Sequence, residues 1–448
     1  MPTLAVARQV LRRTFGYQDF RPLQARVIEP VLAGCDVLAV LPTGGGKSIC
    51  FQVPALVAPG LTIVVSPLVA LMQDQVAALK RRGAPAAALN GSIDHATQSA
   101  ILAEAAQGRL RLLYAAPERL PRLVEELAVR GVTVARLAVD EAHCIVEWGH
   151  DFRPAYRALR RLRVALGAPP CVALTGSATQ AVREEIVRSL GFGRSSAEIV
   201  GSFDRRNLRF EVQTVVSRDD RLSRLVVLVR TTRGAAIVYA PTRGLAEGIA
   251  RVLKESGVAV AVYHAGLAAR ERSECLEQFL EAKIRVVVAT CAFGMGIDKP
   301  DVRLVVHWTI PGTPESYYQE AGRAGRDGDI AHCVVYYHPH DAVMPRRQLS
   351  TTFPSESLLE QLWRDPTQRV RQPAAILAAA DRLAEELRPD RGRVDWIAVR
   401  RRRREAERRL DAMVHYARGS GCRRAALLAW FGERVVRCAG CDRCRLSK

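Results

Sequence analysis

The chain has 448 residues, 48% of them hydrophobic, so it is long enough for about two or three globular domains and is not disordered throughout. Its 66 Lys and Arg against 46 Asp and Glu give a net charge of +20, which favours a polyanionic partner; solubility and a compositional bias toward Arg are the alternatives. No apolar run has membrane-spanning length and the N-terminus lacks a secretory signal pattern, so we expect a cytoplasmic protein with no membrane partner.

Short runs of Val, Ile and Leu recur along the chain, each followed by a loop and then by helix-like sequence. They barely alternate in polarity, as is typical of parallel strands buried on both faces. The first series is DVLAVLPTGGGKS, LTIVVSPL, RLLYAAPE, RLAVDEAH and CVALTGSAT. The second is GAAIVYAPTR, AVAVYHAGL, IRVVVATCAFGMG, RLVVHWTIP and HCVVYYHPH. The pattern predicts two α/β lobes with parallel sheets, at about 1–204 and 205–345.

The first series contains the glycine-rich loop LPTGGGKS at 41–48. It matches a phosphate-binding loop in part, because Leu41 stands where the stricter pattern has its first Gly. We predict that the nucleotide is held by Thr43, Gly44, Gly45, Gly46, Lys47 and Ser48. In this set the glycines turn backbone N–H groups toward an anion, Lys47 reaches the terminal phosphates and Ser48 ligates Mg²⁺. A glycine-rich turn with an incidental Lys is the alternative.

An acidic pair, Asp140 and Glu141, ends the apolar strand RLAVDE. A carboxylate at Asp140 can hold, together with Ser48, the Mg²⁺ that bridges the phosphates. Its neighbour Glu141 can take a proton from attacking water. Because Lys47 and Asp140 follow different strands of one predicted sheet, we expect them to converge.

The acidic pair runs directly into an aromatic and basic loop, whose site candidates are Trp148, His150, Asp151, Phe152 and Arg153. Isolated aromatic residues are usually core residues, but this loop is polar and contains Gly. A base stacked on an aromatic side chain gains about 1–3 kcal/mol whatever its identity. We therefore predict a loop that grips a single strand without reading sequence and couples it to the carboxylates.

The segment YQEAGRAGRDG at 318–328 places two arginines three residues apart. If it begins a helix, Arg323 and Arg326 point the same way and could cross the cleft between the lobes to the γ-phosphate. Ordinary surface arginines are the alternative.

From Met344 the sequence becomes Arg-rich and helix-like. Ile376, Ala380, Leu383 and Leu387 fall on one predicted helix face. The region is either a small helix-turn-helix or a set of packing helices. Five consecutive arginines at 400–404 are either phosphate contacts or a solvated helix face.

The chain has eleven cysteines, and the last four have metal-ligand spacing: Cys422, Cys438, Cys441 and Cys444. Four thiolates in this arrangement suit tetrahedral Zn²⁺, and an iron–sulfur cluster is the second possibility. The other seven lie singly in apolar segments and are interpreted as reduced core residues.

Taken together, the motifs resemble RecQ-type DNA helicases of superfamily 2, over about residues 10–340 and the cysteine cluster. The segments that carry the resemblance are FGYQDFRPLQ, LPTGGGKS, VVSPLVALMQDQV, YAAPERL, DEAHC, WGHDFRPAY, ALTGSAT, VVVATCAFGMGIDKPDV and YYQEAGRAGRDG. The resemblance implies two RecA-like lobes followed by a small, mainly helical zinc-binding domain at 346–448. It also implies ATP, Mg²⁺ and Zn²⁺ as cofactors.

The resemblance assigns roles that the residues alone do not suggest. Tyr17, Arg21 and Gln24 would hold adenine, Gly296 and Asp298 would sense nucleotide and DNA, and His143 would link the hydrolytic centre to the DNA. The sequence departs from the usual ALTATA at Gly176 and Ser177. Both residues are small, so we expect adjusted coupling without loss of activity.

The resemblance further implies an ATP-dependent helicase that moves 3′ to 5′ on single-stranded DNA and unwinds tailed or forked duplexes, in repair or recombination, as a nucleoid-associated bacterial protein. Longer members continue into a winged-helix domain and a terminal helical domain, whereas this sequence ends four residues after Cys444. We therefore keep two alternatives: a DNA or RNA translocase that does not separate strands, and a non-enzymatic annealing or scaffold protein.

Overall fold

The structure is a computed structural model that describes residues 2–42, 44–91, 93–146, 154–294, 299–387 and 395–444. It divides into two compact units. The first comprises the chain up to Arg205 together with Phe431–Glu433, and the second begins at Arg206 and contains most of the remainder. Among the described residues, no helix combines the length and apolar character needed to span a membrane.

The first unit contains a seven-stranded parallel sheet with the order β3-β4-β2-β5-β6-β1-β7. Strands β1, β2, β3, β4 and β6 are buried along their whole length, which explains why their sequences do not alternate in polarity. The strands are β1 (Val37–Val40), β2 (Leu61–Val65), β3 (Ala86–Leu89), β4 (Leu112–Ala115), β5 (Val134–Val139), β6 (Cys171–Thr175) and β7 (Ala197–Val200).

Helices connect these strands, as crossovers between parallel strands require. Several begin at a side-chain cap: Thr3, Asp94 and Thr179 each accept a hydrogen bond from a first-turn N–H. The helices are α1 (Leu4–Val10), α2 (Pro22–Leu32), α3 (Ile49–Val57), α4 (Val69–Arg81), α5 (His95–Ala106), α6 (Leu120–Val129), α7 (Leu159–Ala165) and α8 (Gln180–Leu190).

The second unit contains a six-stranded parallel sheet with the order β10-β11-β9-β12-β13-β8. Its strands are β8 (Leu208–Thr214), β9 (Ala235–Tyr239), β10 (Val260–Tyr263), β11 (Val286–Ala289), β12 (Val302–His307) and β13 (Ala331–Tyr337). The associated helices are α9 (Arg218–Thr231), α10 (Arg243–Glu255), α11 (Ala269–Leu280) and α12 (Pro314–Ala321).

The condition set for the paired arginines, that their segment is helical, is not met. Helix α12 ends at Ala321, and Arg323 and Arg326 lie in the turns that follow it. Gly325 adopts a φ of +55°, a left-handed conformation that a continuing right-handed helix does not contain.

The helical region after β13 also belongs to the second unit. It contains α13 (Val343–Thr352), α14 (Glu356–Arg364), α15 (Ala374–Leu387), α16 (Trp396–Arg418) and α17 (Arg423–Trp430). Phe353, Leu359, Leu362, Ala380 and Leu383 form a core of their own. The predicted apolar face of α15 is therefore a packing surface. The prediction of two parallel-sheet lobes followed by a helical region is confirmed.

Candidate nucleotide site and metal centre

Three neighbouring strands of the first sheet build the candidate nucleotide site. Strand β6 lies between β1 and β5, and all three run parallel. The glycine-rich loop follows β1, the acidic pair follows β5, and the TGSAT segment follows β6. Because the carboxyl ends of parallel strands share one edge of the sheet, these segments meet there.

The glycine-rich loop is held by the start of α2. The Arg21 guanidinium donates to the Gly44 carbonyl, and the Gln24 amide donates to the carbonyls of Gly45 (3.3 Å) and Gly46 (3.1 Å). The Gln24 side-chain oxygen accepts from the Arg21 backbone N–H at 2.9 Å. Gln24 is only 6% exposed, so this amide is a buried part of the loop's support.

This support determines where the loop can bind an anion. In a trans peptide the N–H points opposite the preceding C=O, and the described peptides are trans. Since the Gly45 and Gly46 carbonyls face Gln24, the N–H groups of Gly46 and Lys47 point away from it. Gly44 and Gly46 have φ values of +80° and +72°, which glycine adopts without strain. The loop therefore presents donors suited to a phosphate.

Side chains from all three strands connect at this edge. Lys47 Nζ lies 3.6 Å from Glu141 Oε1, and His143 Nδ1 lies 3.3 Å from Glu141 Oε2. The same His143 nitrogen lies 2.9 Å from Thr175 Oγ1, at the end of β6. Thr175 Oγ1 in turn donates to the Ser177 carbonyl at 3.2 Å. The loop lysine, the acidic pair and the TGSAT segment thus form one connected group.

The acidic pair is constrained in backbone and in charge. Glu141 has a φ of +46° and a ψ of +50°, a left-handed conformation uncommon for residues other than glycine and typical of functional sites. Burial, and then the neighbouring Glu141 carboxylate, raises the pKa of Asp140 above its ordinary value. A divalent cation at Asp140 and Ser48 would offset both effects. The residues present fit a Mg²⁺ ion.

Sequence reasoning missed two residues of this site. Thr175 bonds His143, and the Tyr156 hydroxyl donates to the Asp140 carbonyl at 3.2 Å. Thr175 lies in the segment ALTGSAT and Tyr156 ends the segment WGHDFRPAY, but neither segment shows by itself that these side chains contact the acidic pair. For Thr175 the missing information is the order of the strands, because only β6 separates β1 from β5.

Several predicted site residues lie outside the described part of the chain. They are Thr43 of the glycine-rich loop, Trp148, His150, Asp151, Phe152 and Arg153 of the aromatic loop, and Gly296 and Asp298. The structure does place Tyr17, the third residue expected near adenine, and its side chain is 56% exposed.

Arg323 and Arg326 belong to the second unit. Arg323 is only 7% exposed and hydrogen-bonds to Tyr239 at the end of β9. The Tyr239 hydroxyl donates to the Phe293 carbonyl at 2.9 Å, and its ring stacks on His307. Arg323 is therefore fixed by buried contacts within its own lobe.

The four C-terminal cysteines form a compact sulfur group. Their Sγ atoms all lie within 4.8 Å of one another, and those of Cys422 and Cys441 are 4.0 Å apart. A tetrahedron with Zn–S bonds of about 2.3 Å has edges of about 3.8 Å. Sulfurs this close surround one ion and leave no room for the iron and sulfide atoms of a cluster. The residues present fit Zn²⁺.

The sulfur group is joined to the second sheet. Cys441 forms a parallel bridge with Phe210 of β8, and the Asp442 N–H donates to the Phe210 carbonyl at 3.0 Å. The fully buried Arg424 donates to the Leu208 carbonyl and lies over the Phe210 ring at 5.2 Å. Arg423, 2% exposed, bonds Asp442 at 3.0 Å. The metal centre therefore extends the β8 edge.

Comparison with known families gives three matches along the chain. Residues 21–186 match the DEAD/DEAH box helicase model, residues 218–328 match the helicase conserved C-terminal domain, and residues 388–445 match the RecQ zinc-binding model. The fold and these matches define a two-lobed helicase-fold protein of superfamily 2.

Individual relatives narrow the assignment. The chain is 37% identical over 446 residues to the ATP-dependent DNA helicase RecQ of Pasteurella multocida, covering 99% of this chain and 63% of the relative. It is 40% identical over 338 residues to the probable ATP-dependent DNA helicase RecS of Bacillus subtilis, covering 75% of this chain and 67% of the relative. The chain belongs to the RecQ helicase family.

A solved structure shows the same fold. The Mycobacterium smegmatis helicase Lhr, bound to single-stranded DNA and AMP-PNP, matches with a TM-score of 0.60 and 21% identity. The match covers 92% of this chain and 57% of Lhr. The chain spans 63% of the length of the Pasteurella relative.

Proposed function

We propose that the protein is an ATP-dependent DNA helicase that moves 3′ to 5′ on single-stranded DNA and unwinds tailed or forked duplexes, serving DNA repair or recombination. The observation that carries the proposal is the connected group of Lys47, Glu141, His143 and Thr175 beside the glycine-rich loop. ATP hydrolysis needs a phosphate cradle, a metal-binding acid and a base, and this edge of the sheet offers all three.

In the proposed reaction, the Gly46 and Lys47 N–H groups and the Lys47 ammonium bind the terminal phosphates. Ser48 and Asp140 would hold Mg²⁺, which would neutralise charge on the phosphate oxygens. Glu141 accepts the proton of the attacking water. Its Oε atoms lie 3.6 Å from Lys47 Nζ and 3.3 Å from His143 Nδ1, so the base is held between two nitrogen groups that limit its rotation.

His143 is proposed as the link between hydrolysis and DNA. Its contacts with Glu141 and Thr175 join the ends of β5 and β6, so movement of either strand end changes the position of the base. The aromatic loop with Trp148, His150, Asp151, Phe152 and Arg153 begins five residues after His143 along the chain. We propose that it binds the single strand by stacking and phosphate contacts.

The remaining roles follow the family resemblance. Tyr17 is proposed to hold adenine together with Arg21 and Gln24, whose side chains also support the glycine-rich loop. Gly296 and Asp298 are proposed to respond to nucleotide and DNA. Arg323 and Arg326 are proposed to stabilise charge on the transferred phosphate. An Arg326→Ala variant that binds ATP normally but hydrolyses it much more slowly would support that role.

Zinc is proposed to be structural. Cys422, Cys438, Cys441 and Cys444 would hold the ion, which would fix the segment that pairs with β8. Zinc in small modules contributes on the order of 10–16 kcal/mol to folding, comparable with the stability of a whole domain. No catalytic step is assigned to it.

The deciding experiment measures strand release and phosphate release together. Zinc-replete protein is incubated with ATP, Mg²⁺ and a labelled duplex that carries a 3′ single-stranded tail. A 5′-tailed duplex and the Glu141→Gln variant are the controls. Release of both the labelled strand and phosphate with the 3′-tailed duplex, without strand release from the 5′-tailed duplex, supports the proposal. Phosphate without strand release would identify a translocase, and neither product would leave only a binding or annealing role.

A further inference from the structure

One face of α16 carries a row of exposed arginines. Arg400, Arg401, Arg404 and Arg408 recur at helical spacing and are all exposed. At a rise of about 1.5 Å per residue, the row is about 12 Å long. The whole helix carries eight arginines against three acidic residues, so its excess positive charge is a property of the helix.

The acidic residues nearby pair only with the two ends of this row. Arg400 pairs with Glu356 at 3.2 Å, and Arg408 pairs with Glu405 at 2.8 Å. Arg401 and Arg404, at the centre of the row, form no ion pair with any residue in the described part of the chain. A cavity of about 430 Å³ lies over this face, lined by Ile397, Arg400, Arg401, Arg404, Glu405 and Arg408.

The helix that carries the row is firmly fixed in the second unit. On its opposite side, Arg409 is only 8% exposed and lies 3.6 Å from Glu315 of α12. Leu410 and Met413 are buried, and Trp396 at the start of α16 stacks on Trp363 at 5.7 Å. The arginines therefore project from a rigid support, and a ligand that binds them does not have to order the backbone.

We infer that the arginine face of α16, defined by Arg400, Arg401, Arg404 and Arg408, binds the phosphate backbone of duplex DNA. The inference rests on the proposed helicase function and deepens it by assigning the duplex a contact surface of its own.

The composition of the face favours a duplex over a single strand. Sites for single strands combine positive charge with aromatic platforms on which bases stack. None of the six residues that line the cavity is aromatic. The nearby Trp430 ring is covered by the Arg408 guanidinium at 4.3 Å, and Trp396 packs on Trp363. Evenly spaced guanidinium groups on a rigid helix suit a regular row of phosphates, contacted without sequence readout.

The test is salt-dependent binding of a short, blunt, labelled duplex to the zinc-replete full chain without nucleotide, measured by fluorescence anisotropy. Each phosphate contact contributes about 0.9 to the slope of log K against log salt. The double variant Arg401→Ala/Arg404→Ala should therefore reduce the magnitude of this slope by about 1.8. The charge-conserving Arg401→Lys with Arg404→Lys should retain most of the slope.

The matched control removes the same charge elsewhere in the second unit. Arg230 on α9 and Arg251 on α10 are both exposed, and their double Ala variant should keep the slope of the unmodified protein. Equal slopes for the two double Ala variants would overturn the inference. A slope change confined to a single-stranded oligonucleotide would also overturn it, because the contact would then not be with duplex.

Different measurements test the helicase function and the duplex contact. Single-strand-stimulated ATP hydrolysis, measured on the same preparations, should be unchanged in Arg401→Ala with Arg404→Ala. If the unmodified protein does not hydrolyse ATP, the proposed function fails, yet the duplex slopes still decide whether the arginine face binds phosphates.

Discussion

Replacing Gly46 with Ala tests how the glycine-rich loop is supported. A Cβ at this position would lie 2.3 Å from Gln24 Nε2, far inside van der Waals contact, and the backbone has a φ of +72°. The variant therefore has two separate costs. A left-handed conformation costs a residue other than glycine about 1–2 kcal/mol. Displacing the Gln24 amide breaks its two bonds to the loop carbonyls, each worth about 0.5–1.5 kcal/mol.

Gly108 offers a matched control. Its φ is +69°, nearly the same as that of Gly46, but an added Cβ meets no atom within 4 Å. Gly108→Ala should therefore cost only the backbone strain of about 1–2 kcal/mol. The difference between the two variants, about 1–3 kcal/mol, measures the Gln24 contact.

The assay is nucleotide affinity, measured with a fluorescent ATP analogue, beside urea unfolding of the same proteins. The strained loop should relax away from its phosphate-binding conformation in the free protein, and nucleotide must then restore that conformation. Gly46→Ala should therefore weaken nucleotide binding by up to roughly 150-fold, the limit set by the full difference of about 3 kcal/mol, while Gly108→Ala leaves it unchanged. In a Gln24→Ala background the clash is absent, so the additional effect of Gly46→Ala should shrink. Equal affinities for the Gly46 and Gly108 variants would refute the reasoning.

Three further outcomes are expected. Cys438→Ser should lose bound zinc, measured by metal content, and should accelerate amide exchange in β8 because the metal centre is paired to that strand. Glu433→Gln should accelerate amide exchange at Phe203, whose N–H donates to the Glu433 carboxylate at 2.6 Å. A hydrogen bond from Arg303 lowers the pKa of Asp327 below its usual 3.8. This hydrogen bond therefore stabilises the folded state above pH 3.8, and the stabilisation is lost as the pH falls through the lowered pKa. Asp327→Asn should therefore be less stable in urea at neutral pH, and the difference should narrow in acid.

The zinc variant has a matched control, and each of the three predictions has an outcome that would contradict it. Cys35→Ser, which alters a cysteine far from the sulfur group in sequence, should retain zinc. Unchanged β8 exchange in zinc-free protein would contradict the pairing argument. Unchanged Phe203 exchange in the Glu433 variant would show that the carboxylate does not hold that amide. A stability difference for Asp327→Asn that stays constant across pH would exclude the charged hydrogen bond as its cause.

The sheets were predictable because their signal is local. A strand such as Val37–Val40, buried on both faces, must be apolar throughout, and the loop at its carboxyl end must turn sharply. The sequence therefore locates the glycine-rich loop and the acidic pair. It does not give the lateral order of strands, which depends on packing between distant segments. The place of β6 between β1 and β5, and with it the role of Thr175, becomes visible only in the structure.

The paired arginines show the opposite case, in which a local pattern misleads. The segment Pro314–Ala321 is helical, and three-residue spacing suggests that the helix includes Arg323 and Arg326. The backbone turns instead because Gly325 is held from a distance: Asn207 Nδ2, 118 residues earlier, donates to its carbonyl at 2.8 Å. An added Cβ at Gly325 would lie 2.4 Å from that nitrogen. A long-range contact sets the conformation, and no window of sequence contains it.

The cysteine cluster combines both cases. Its spacing favours Zn²⁺ without structural information, since four thiols in CxxCxxC and one preceding Cys can surround a single ion, but the choice against an iron–sulfur cluster needs the distances between the sulfurs. Its attachment could not be predicted, because two fully or nearly fully buried arginines, Arg423 and Arg424, make it. Buried guanidinium groups require partners, and these find them at Asp442 and at the Leu208 carbonyl. A bound zinc ion would therefore order an edge of the second sheet as well as the cysteine segment.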